Sequence, residues 1–309
     1  MCSISCLEPP SGLVSMVLDT DTYNEIDDQF ALVYALLSPE KIRLEAVYAA
    51  PFYFDAPDYH SSSPLDGMEK SHGEILRILE LMGQRENIPA FRGAGQYLKD
   101  KSVPVESDAV DDLVERAMAN RNGSLYVVGI AACTNIASAI IKKPEIVDRI
   151  VVVWLGGHPH GWHTAHEFNL MQDVAAAQIL FDSGVPLVHI PCKNVAEHLV
   201  TTIPELDANL RGKNELCDHL CDSFAAYAKK RESCGWSKEI WDIANIAWLV
   251  NPEWTASAVV HSPILTDNIT WSFDPNRHFI RELRDIRRNK VFEDLFIKLD
   301  QYSKGEIQI

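Results

Sequence analysis

Between residues 19 and 28 the chain reads Asp19-Thr-Asp21-Thr-Tyr-Asn24-Glu25-Ile-Asp27-Asp28, five acids in ten residues directly after the apolar run LVSMVL. Carboxylates packed this closely cannot all ionise without a cation or a positive partner among them. Oxygen donors of this kind suit a hard divalent ion such as Ca²⁺ or Mg²⁺, and no cysteine and little histidine stands nearby to favour zinc. An acidic turn capping a helix that starts near Ile26 would account for Glu25, Asp27 and Asp28, since acids at a helix N-terminus gain a few tenths of a kcal/mol up to about 1. It does not account for Asp19 and Asp21, which alternate at the mouth of a buried strand. An EF-hand loop is excluded, because Tyr23 and Asn24 stand where it needs an acid or amide and then a glycine.

Other chemistry-bearing groups are scattered along the chain. The loop HPHGWHTAH brings together His158, His160, His163 and His166 with Trp162, a proton donor or sugar contact in one reading and solvated surface in the other. The segment YAAPFYF places Phe52, Tyr53 and Phe54 after a strand. Cys217, His219 and Cys221, with Cys234 beyond, fall in a helical stretch where two thiols share a face; buried small hydrophobes are the simpler account than zinc. Arg277, Arg281, Arg284, Arg287 and Arg288 form the one basic concentration. Arg277 or His278 would select a charged substrate if they reached the site, but pairing with the acidic surface on a closing helix is the favoured role.

Positioning these groups is the task of an alternating pattern. Runs at 13–19, 43–50, 124–131, 149–155 and 185–190 read as buried strands, and 26–37, 67–82, 108–120, 134–142 and 173–183 carry apolar residues at helical spacing. That order predicts βαβ units, hence an α/β fold with a mostly parallel, Rossmann-like sheet flanked by helices. No linker interrupts it, so residues 1–309 form a single domain with its core at about 13–300. Beyond residue 200 the pattern is mainly helical, with a further strand at 255–261 and a polar tail. In such a sheet the carboxyl ends of the strands open on one crevice, where the acidic loop, PFYFDAP and the histidine loop must converge.

The balance of 28 Lys+Arg against 44 Asp+Glu leaves a formal charge of -16, which repels a phosphate backbone or an anionic membrane, so neither a nucleic acid polymer nor a membrane is an expected partner. The N-terminus, MCSISCLEPPSG, has neither a basic nor an apolar leader region, and a cytoplasmic location is expected. Seven cysteines, an odd number, fit reduced thiols better than a disulfide framework.

Four segments in order resemble the nucleoside hydrolase family, of the inosine-uridine preferring kind and a divergent subgroup of it. The acidic stretch is similar to the family's Asp-x-Asp-Pro-Gly-x-Asp-Asp, with Thr22 and Tyr23 in place of Pro-Gly and the last Asp pair two residues later. GIAACTNIASA resembles Gly-Pro-Leu-Thr-Asn-Ile-Ala, with Ala131 where that glycine stands. VVVWLGG with EFNLMQDVAAAQILFDSGVPL resembles the Met-Gly-Gly and Glu-Phe-Asn segments, and IWDIANIAWLVNPEW the His-Asp-Ala segment with its Asn-Pro. A haloacid-dehalogenase phosphatase also opens with two Asp one residue apart, but its later Gly-Asp motif is missing.

The resemblance implies a Ca²⁺-dependent hydrolase that splits the N-glycosidic bond of a ribonucleoside or related N-glycoside into base and ribose, and a homo-oligomer, dimer or tetramer. It places Asp21, Asp28, Asp242 and the backbone carbonyl of Ile130 on the metal. It gives Asp27 and Asn169 the ribose 2- and 3-hydroxyls, and Glu167 the 5-hydroxyl side. Asp21 would be the general base toward a metal-activated water, with Asp19 supporting the cluster from behind. Trp241 stands where the family often has His, and is expected either to stack on the base or to pack as a core aromatic; His163 is a candidate sugar contact. YAAPFYF stands where the family has Val-Ala-Gly-Asn, and the Asn expected before Glu-Phe-Asn is missing, so the sugar-binding shell is altered and leaves a second possibility, a weak or inactive relative that binds a nucleoside or sugar without turning it over.

Overall fold

The computed structural model describes residues 4–54, 61–228 and 235–309. Along the chain come β1 (Val14–Thr20), α1 (Asp27–Leu36), β2 (Ile42–Ala49), α2 (Pro64–Leu81), β3 (Ala90–Arg92), α3 (Asp108–Met118), β4 (Leu125–Gly129), α4 (Thr134–Lys142), β5 (Ile150–Leu155), α5 (Phe168–Gln172), α6 (Val174–Asp182) and β6 (Leu187–Ile190). The remainder contains β7 (Val200–Thr201), α7 (Ile203–Asn209), α8 (Glu215–Ala228), β8 (Lys238–Glu239), α9 (Ile243–Val250), β9 (Thr255–His261), β10 (Ile264–Leu265), β11 (Trp271–Ser272), β12 (Phe279–Ile286) and α10 (Arg288–Ser303).

An eight-stranded sheet runs in the order β3-β2-β1-β4-β5-β6-β12-β9, parallel except where β9 pairs antiparallel with β12. Its strands read as continuous apolar runs because helices cover both faces. One core layer holds Leu18, Phe30, Trp248 and Leu295, the other Val17, Tyr48, Trp154 and Phe181. The chain leaves β1 toward β2 on one side and returns beside β1 as β4, so the strand order reverses between β1 and β4. At such a reversal the connecting segments diverge and leave a crevice beyond the strand ends. Asp19 lies opposite Gly129 across that junction.

Two helices are buried along almost their whole surface. Every residue of α1 is buried, as is every residue of α9; α9 but for Asn245, and α1 from Phe30 onward, are apolar all round, which suits a helix covered on every side. Asn245 of α9 donates from Nδ2 to Gly129 O at 3.2 Å and Val153 O at 3.1 Å, fixing the helix over the ends of β4 and β5.

The five strands and five helices expected in the first two-thirds are present with ends shifted by up to three residues, and the strand at 255–261 is β9. One expected element is not found. The basic segment is not a closing helix: residues 279–286 form β12, inside the sheet between β6 and β9, and the helix α10 begins only at Arg288. Arg277 is held by Phe181 O and Asp182 at 2.7 Å and Ser262 O at 2.8 Å, so it serves structure. Cys217 and Cys221 are buried thiols of α8 that burial pushes up to about 11 and about 12, and His219 meets Glu74 at 3.2 Å; Cys234 lies outside the described residues. Cys133, Cys192, Cys217 and Cys221 are free as expected, but Cys6 is in a disulfide, which corrects the expectation of thiols throughout. Among the described residues no helix is long and apolar enough to cross a membrane.

Candidate active site

Beyond the carboxyl ends of the central strands lies a cavity of about 270 Å³. Asp21, Asn24, Glu25, Asp27, Asp28, Ile130, Glu167, Phe168, Asn169, Trp241 and Asp242 line it, together with Leu155, His158, Cys192 and Lys193. Asp21 follows the end of β1, and Asp27 and Asp28 open the first turn of α1. Asp242 occupies the N-cap position of α9. Two helix N-termini thus face one cavity, and their dipoles favour negative charge there.

That field does not offset the crowding. Ligand-capable atoms of Asp27, Asp28 and Asp242 lie within 4.8 Å of one another, all buried. Burial, then repulsion from Asp27, pushes the Asp28 carboxyl up to about 8, although Thr20 donates its hydroxyl to it. Burial followed by the charges of Asp28 and Asp27 holds Asp21 well above the ordinary carboxylate range. Asp242 is raised by burial and then by Asp27, Asp28 and Asp21. Asp27 reaches only about 6: burial raises it, but the ammonium of Lys238 opposes the shift. Lys238 itself is anchored on Glu25 at 2.6 Å.

The residues present fit a divalent cation. Asp21 Oδ2 and Asn24 Oδ1 are buried with no hydrogen-bond partner, a costly condition unless an ion or water meets them. The donors are all oxygen, the set that suits a hard ion. The tight trio contains Asp27 rather than Asp21; Asp21 faces the same cavity without belonging to it.

Asp19 sits behind the cluster rather than on the cavity wall. Its Oδ1 accepts from Asn135 Nδ2 at 2.7 Å while Oδ2 has no partner, and burial pushes its carboxyl up to about 7. Asn135 is held in turn, accepting from Ala94 N at 2.7 Å and donating to Ala49 O at 3.3 Å.

The far wall is built by the turn after β5. Gly157 adopts φ +69, and a Cβ on Gly156 would come 2.3 Å from the Trp154 ring, so both positions require glycine. The turn aims Gly157 N–H at Glu167 Oε2, 2.6 Å away. Glu167 also caps α5 through Asn169 N at 3.0 Å and Leu170 N at 3.1 Å, so the polar cap and the cavity residue are one side chain. Asn169 donates from Nδ2 to Leu155 O at 3.1 Å and Ile130 O at 3.3 Å, bringing the amide onto the carbonyl expected to face the metal.

Of the expected site residues, Asp21, Asp27, Asp28, Ile130, Glu167, Asn169, Trp241 and Asp242 line this one cavity. His163 does not: it is exposed, with its ring near-parallel to Trp162 at 6.1 Å. The histidine that reaches the cavity from that loop is His158, whose Nδ1 is buried without a partner. Cys192 and Lys193 carry no spacing signal; they arrive only because β6 ends beside β5. Of the aromatics after β2, Phe52 is core, whereas Phe54 packs at 5.9 Å on Phe168 of the cavity wall.

A reversed-order α/β sheet opens a ligand crevice beyond its strand ends, and here that crevice is lined by buried carboxylates that could hold a metal ion. The chain matches the model of the inosine-uridine preferring nucleoside hydrolases over residues 16–277 and belongs to that family; it is an N-glycosyl hydrolase. Among curated proteins, the pyrimidine-specific ribonucleoside hydrolases RihA of Salmonella agona (strain SL483) and Klebsiella pneumoniae (strain 342) are each 26% identical over 264 residues, covering 77% of this chain and 80% of theirs. The same fold occurs in a purine-preferring ribonucleoside hydrolase from Gardnerella vaginalis, with TM-score 0.72 and 20% identity over 94% of this chain and 99% of that one. It occurs also in a plant nucleoside hydrolase, PpNRh1, with TM-score 0.71 and 19% identity over 93% and 99%.

Proposed function

We propose that the chain hydrolyses the N-glycosidic bond of a ribonucleoside in the carboxylate cavity, with Ca²⁺ as its ion. The observation that carries this reading is the gathering of four buried acids, Asp21, Asp27, Asp28 and Asp242, on one cavity wall with buried oxygens left unpartnered. Asp21, Asp28, Asp242 and the Ile130 carbonyl would hold the ion, which when bound lowers the pKa of a water and so supplies a nucleophile at neutral pH. Asp21 serves as general base, taking the proton of the attacking water. Asp27 and Asn169 orient the ribose hydroxyls and Glu167 the far end of the sugar. As the C–N bond breaks, positive charge grows on the ribose ring, and the surrounding carboxylates stabilise it electrostatically. Trp241 offers a ring for the departing base, flanked by Lys238 and Lys193 at 5.6 and 5.9 Å from its centroid.

The test is base release from a panel of purine and pyrimidine ribonucleosides by EDTA-treated protein with and without added Ca²⁺. Release restored by Ca²⁺ supports the reading. Nucleoside binding without release from any member would instead mark the chain as a binding module.

A further inference from the structure

Away from the carboxylate cavity, His160, His189 and Glu282 form a second buried cluster whose ligand-capable atoms lie within 4.8 Å of one another. None of the three lines the catalytic cavity. His189 stands on β6, Glu282 on β12 beside it, and His160 in the loop after β5.

The hydrogen bonds fix the protons. Gly156 O can only accept, and it lies 2.6 Å from His189 Nε2, so that nitrogen carries a hydrogen. Both imidazoles are buried, His160 6% and His189 0% exposed, an environment that disfavours a charged ring. His189 Nδ1 is therefore a lone pair, and His160 Nε2, 3.0 Å away, must donate to it. That uses the one hydrogen of His160. Its Nδ1 is left as a bare lone pair 3.4 Å from Glu282 Oε1, a carboxylate oxygen that already accepts from the His160 backbone N–H at 2.9 Å. The two imidazole hydrogens are spent on these two hydrogen bonds, and the 3.4 Å approach of His160 Nδ1 to Glu282 Oε1 is made without one. A cation between His160 Nδ1 and Glu282 Oε1 completes the set.

We propose that His160 Nδ1 and Glu282 Oε1 are the protein ligands of a second metal site, for a divalent ion of the zinc class, with His189 holding the tautomer of His160. The 3.4 Å between the two ligand atoms matches the roughly 3.3 Å edge of a tetrahedron with zinc bonds of 2.0–2.1 Å. An imidazole and a carboxylate are ligands that zinc accepts. The chain from His160 to His189 to Gly156 O is the outer support that metal-bound histidines require. A cavity of about 410 Å³ lined by both His160 and Glu282 supplies the entry path and room for water at the remaining positions. An ion there clamps the loop after β5, the loop that carries His158 and leads to Glu167, onto β12.

The test is titration of the full chain with Zn²⁺ in excess Ca²⁺, followed by calorimetry and by the imidazole ¹⁵N resonances. One Zn²⁺ site that excess Ca²⁺ does not displace is expected, with the Nδ1 resonance of His160 shifting as it fills. Glu282→Gln, which keeps the side-chain shape, lowers Zn²⁺ affinity about ten-fold or more, and His189→Gln lowers it roughly 10- to 100-fold. The proposal is overturned if wild type has no such site, if the site persists undiminished in Glu282→Gln, or if the imidazole signals answer to pH and never to Zn²⁺. The last readout is made on wild type and stands even where a variant misfolds.

Discussion

Trp241 donates its backbone N–H to Asp27 Oδ2 at 3.1 Å, across 214 residues of sequence. The bond joins the segment before α9 to the start of α1 and fixes the acid expected to hold ribose beside the ring expected to meet the base. Backbone and side chain of Trp241 therefore do separable work.

Trp241→Ala keeps the backbone donor and removes only the ring. Stacking of a base on an aromatic ring is worth about 1–3 kcal/mol, so kcat/KM for a good substrate should fall roughly 5- to 150-fold. Because a purine presents the larger face, the loss should be greater for purine than for pyrimidine nucleosides. Steady-state kinetics on matched pairs measures it; an unchanged kcat/KM for every nucleoside would return Trp241 to the core.

Asp21→Asn removes the proton acceptor while keeping volume and a polar contact. Turnover should drop by about 10²–10⁴-fold, the range for loss of general base catalysis, while calorimetry still detects nucleoside binding. Full activity in this variant sinks the assignment of Asp21 as base.

Much of this was legible in the sequence, for physical reasons. An apolar strand ending in Asp19 and Asp21 announces a crevice because a sheet buried on both faces needs apolar runs and its ends must be polar. What the sequence leaves hidden is held by partners distant along the chain. β12 includes Arg281 and Glu282, both buried, and so reads as a polar tail; Arg281 is satisfied by Leu7 O and by Glu8 at 2.8 Å, Glu282 by His160. β3 has three residues, too few for a period to show. The four histidines of one loop are alike in sequence, and only the Gly156-Gly157 turn sets His158 rather than His163 facing inward.

Asn135→Ala tests the support behind the acids. The amide serves Asp19 Oδ1, Ala49 O and Ala94 N at once, all buried. Each buried group left unpaired costs about 1–3 kcal/mol, and with partial relaxation the variant should lose about 2–4 kcal/mol of stability. Urea unfolding reads the loss directly; a shift below about 0.5 kcal/mol, the range of ordinary surface changes, would mean that Asn135 holds nothing.

The pH dependence of the metal-free protein follows from burial of these acids and, within the cluster, from their crowding. Asp19, Asp27 and Asp28 titrate near 7, 6 and 8 when folded, against about 3.9 in an unfolded chain. A raised carboxyl keeps its proton in the folded state after the unfolded state has released it, so stability falls as pH rises toward the folded value. Histidines buried neutral give the opposite slope, but only below about pH 6.5, where the unfolded chain binds their protons. Between about pH 6.5 and 8, therefore, the carboxyls govern, and the melting temperature of EDTA-treated protein should fall steadily. Saturating Ca²⁺ should flatten that slope and raise the melting temperature most at the alkaline end, because the ion binds the ionised cluster and displaces its protons. Melting curves across this window, with and without Ca²⁺, decide it: a metal-free melting temperature that stays level or climbs with pH would show that the acids are not held protonated by burial and by one another.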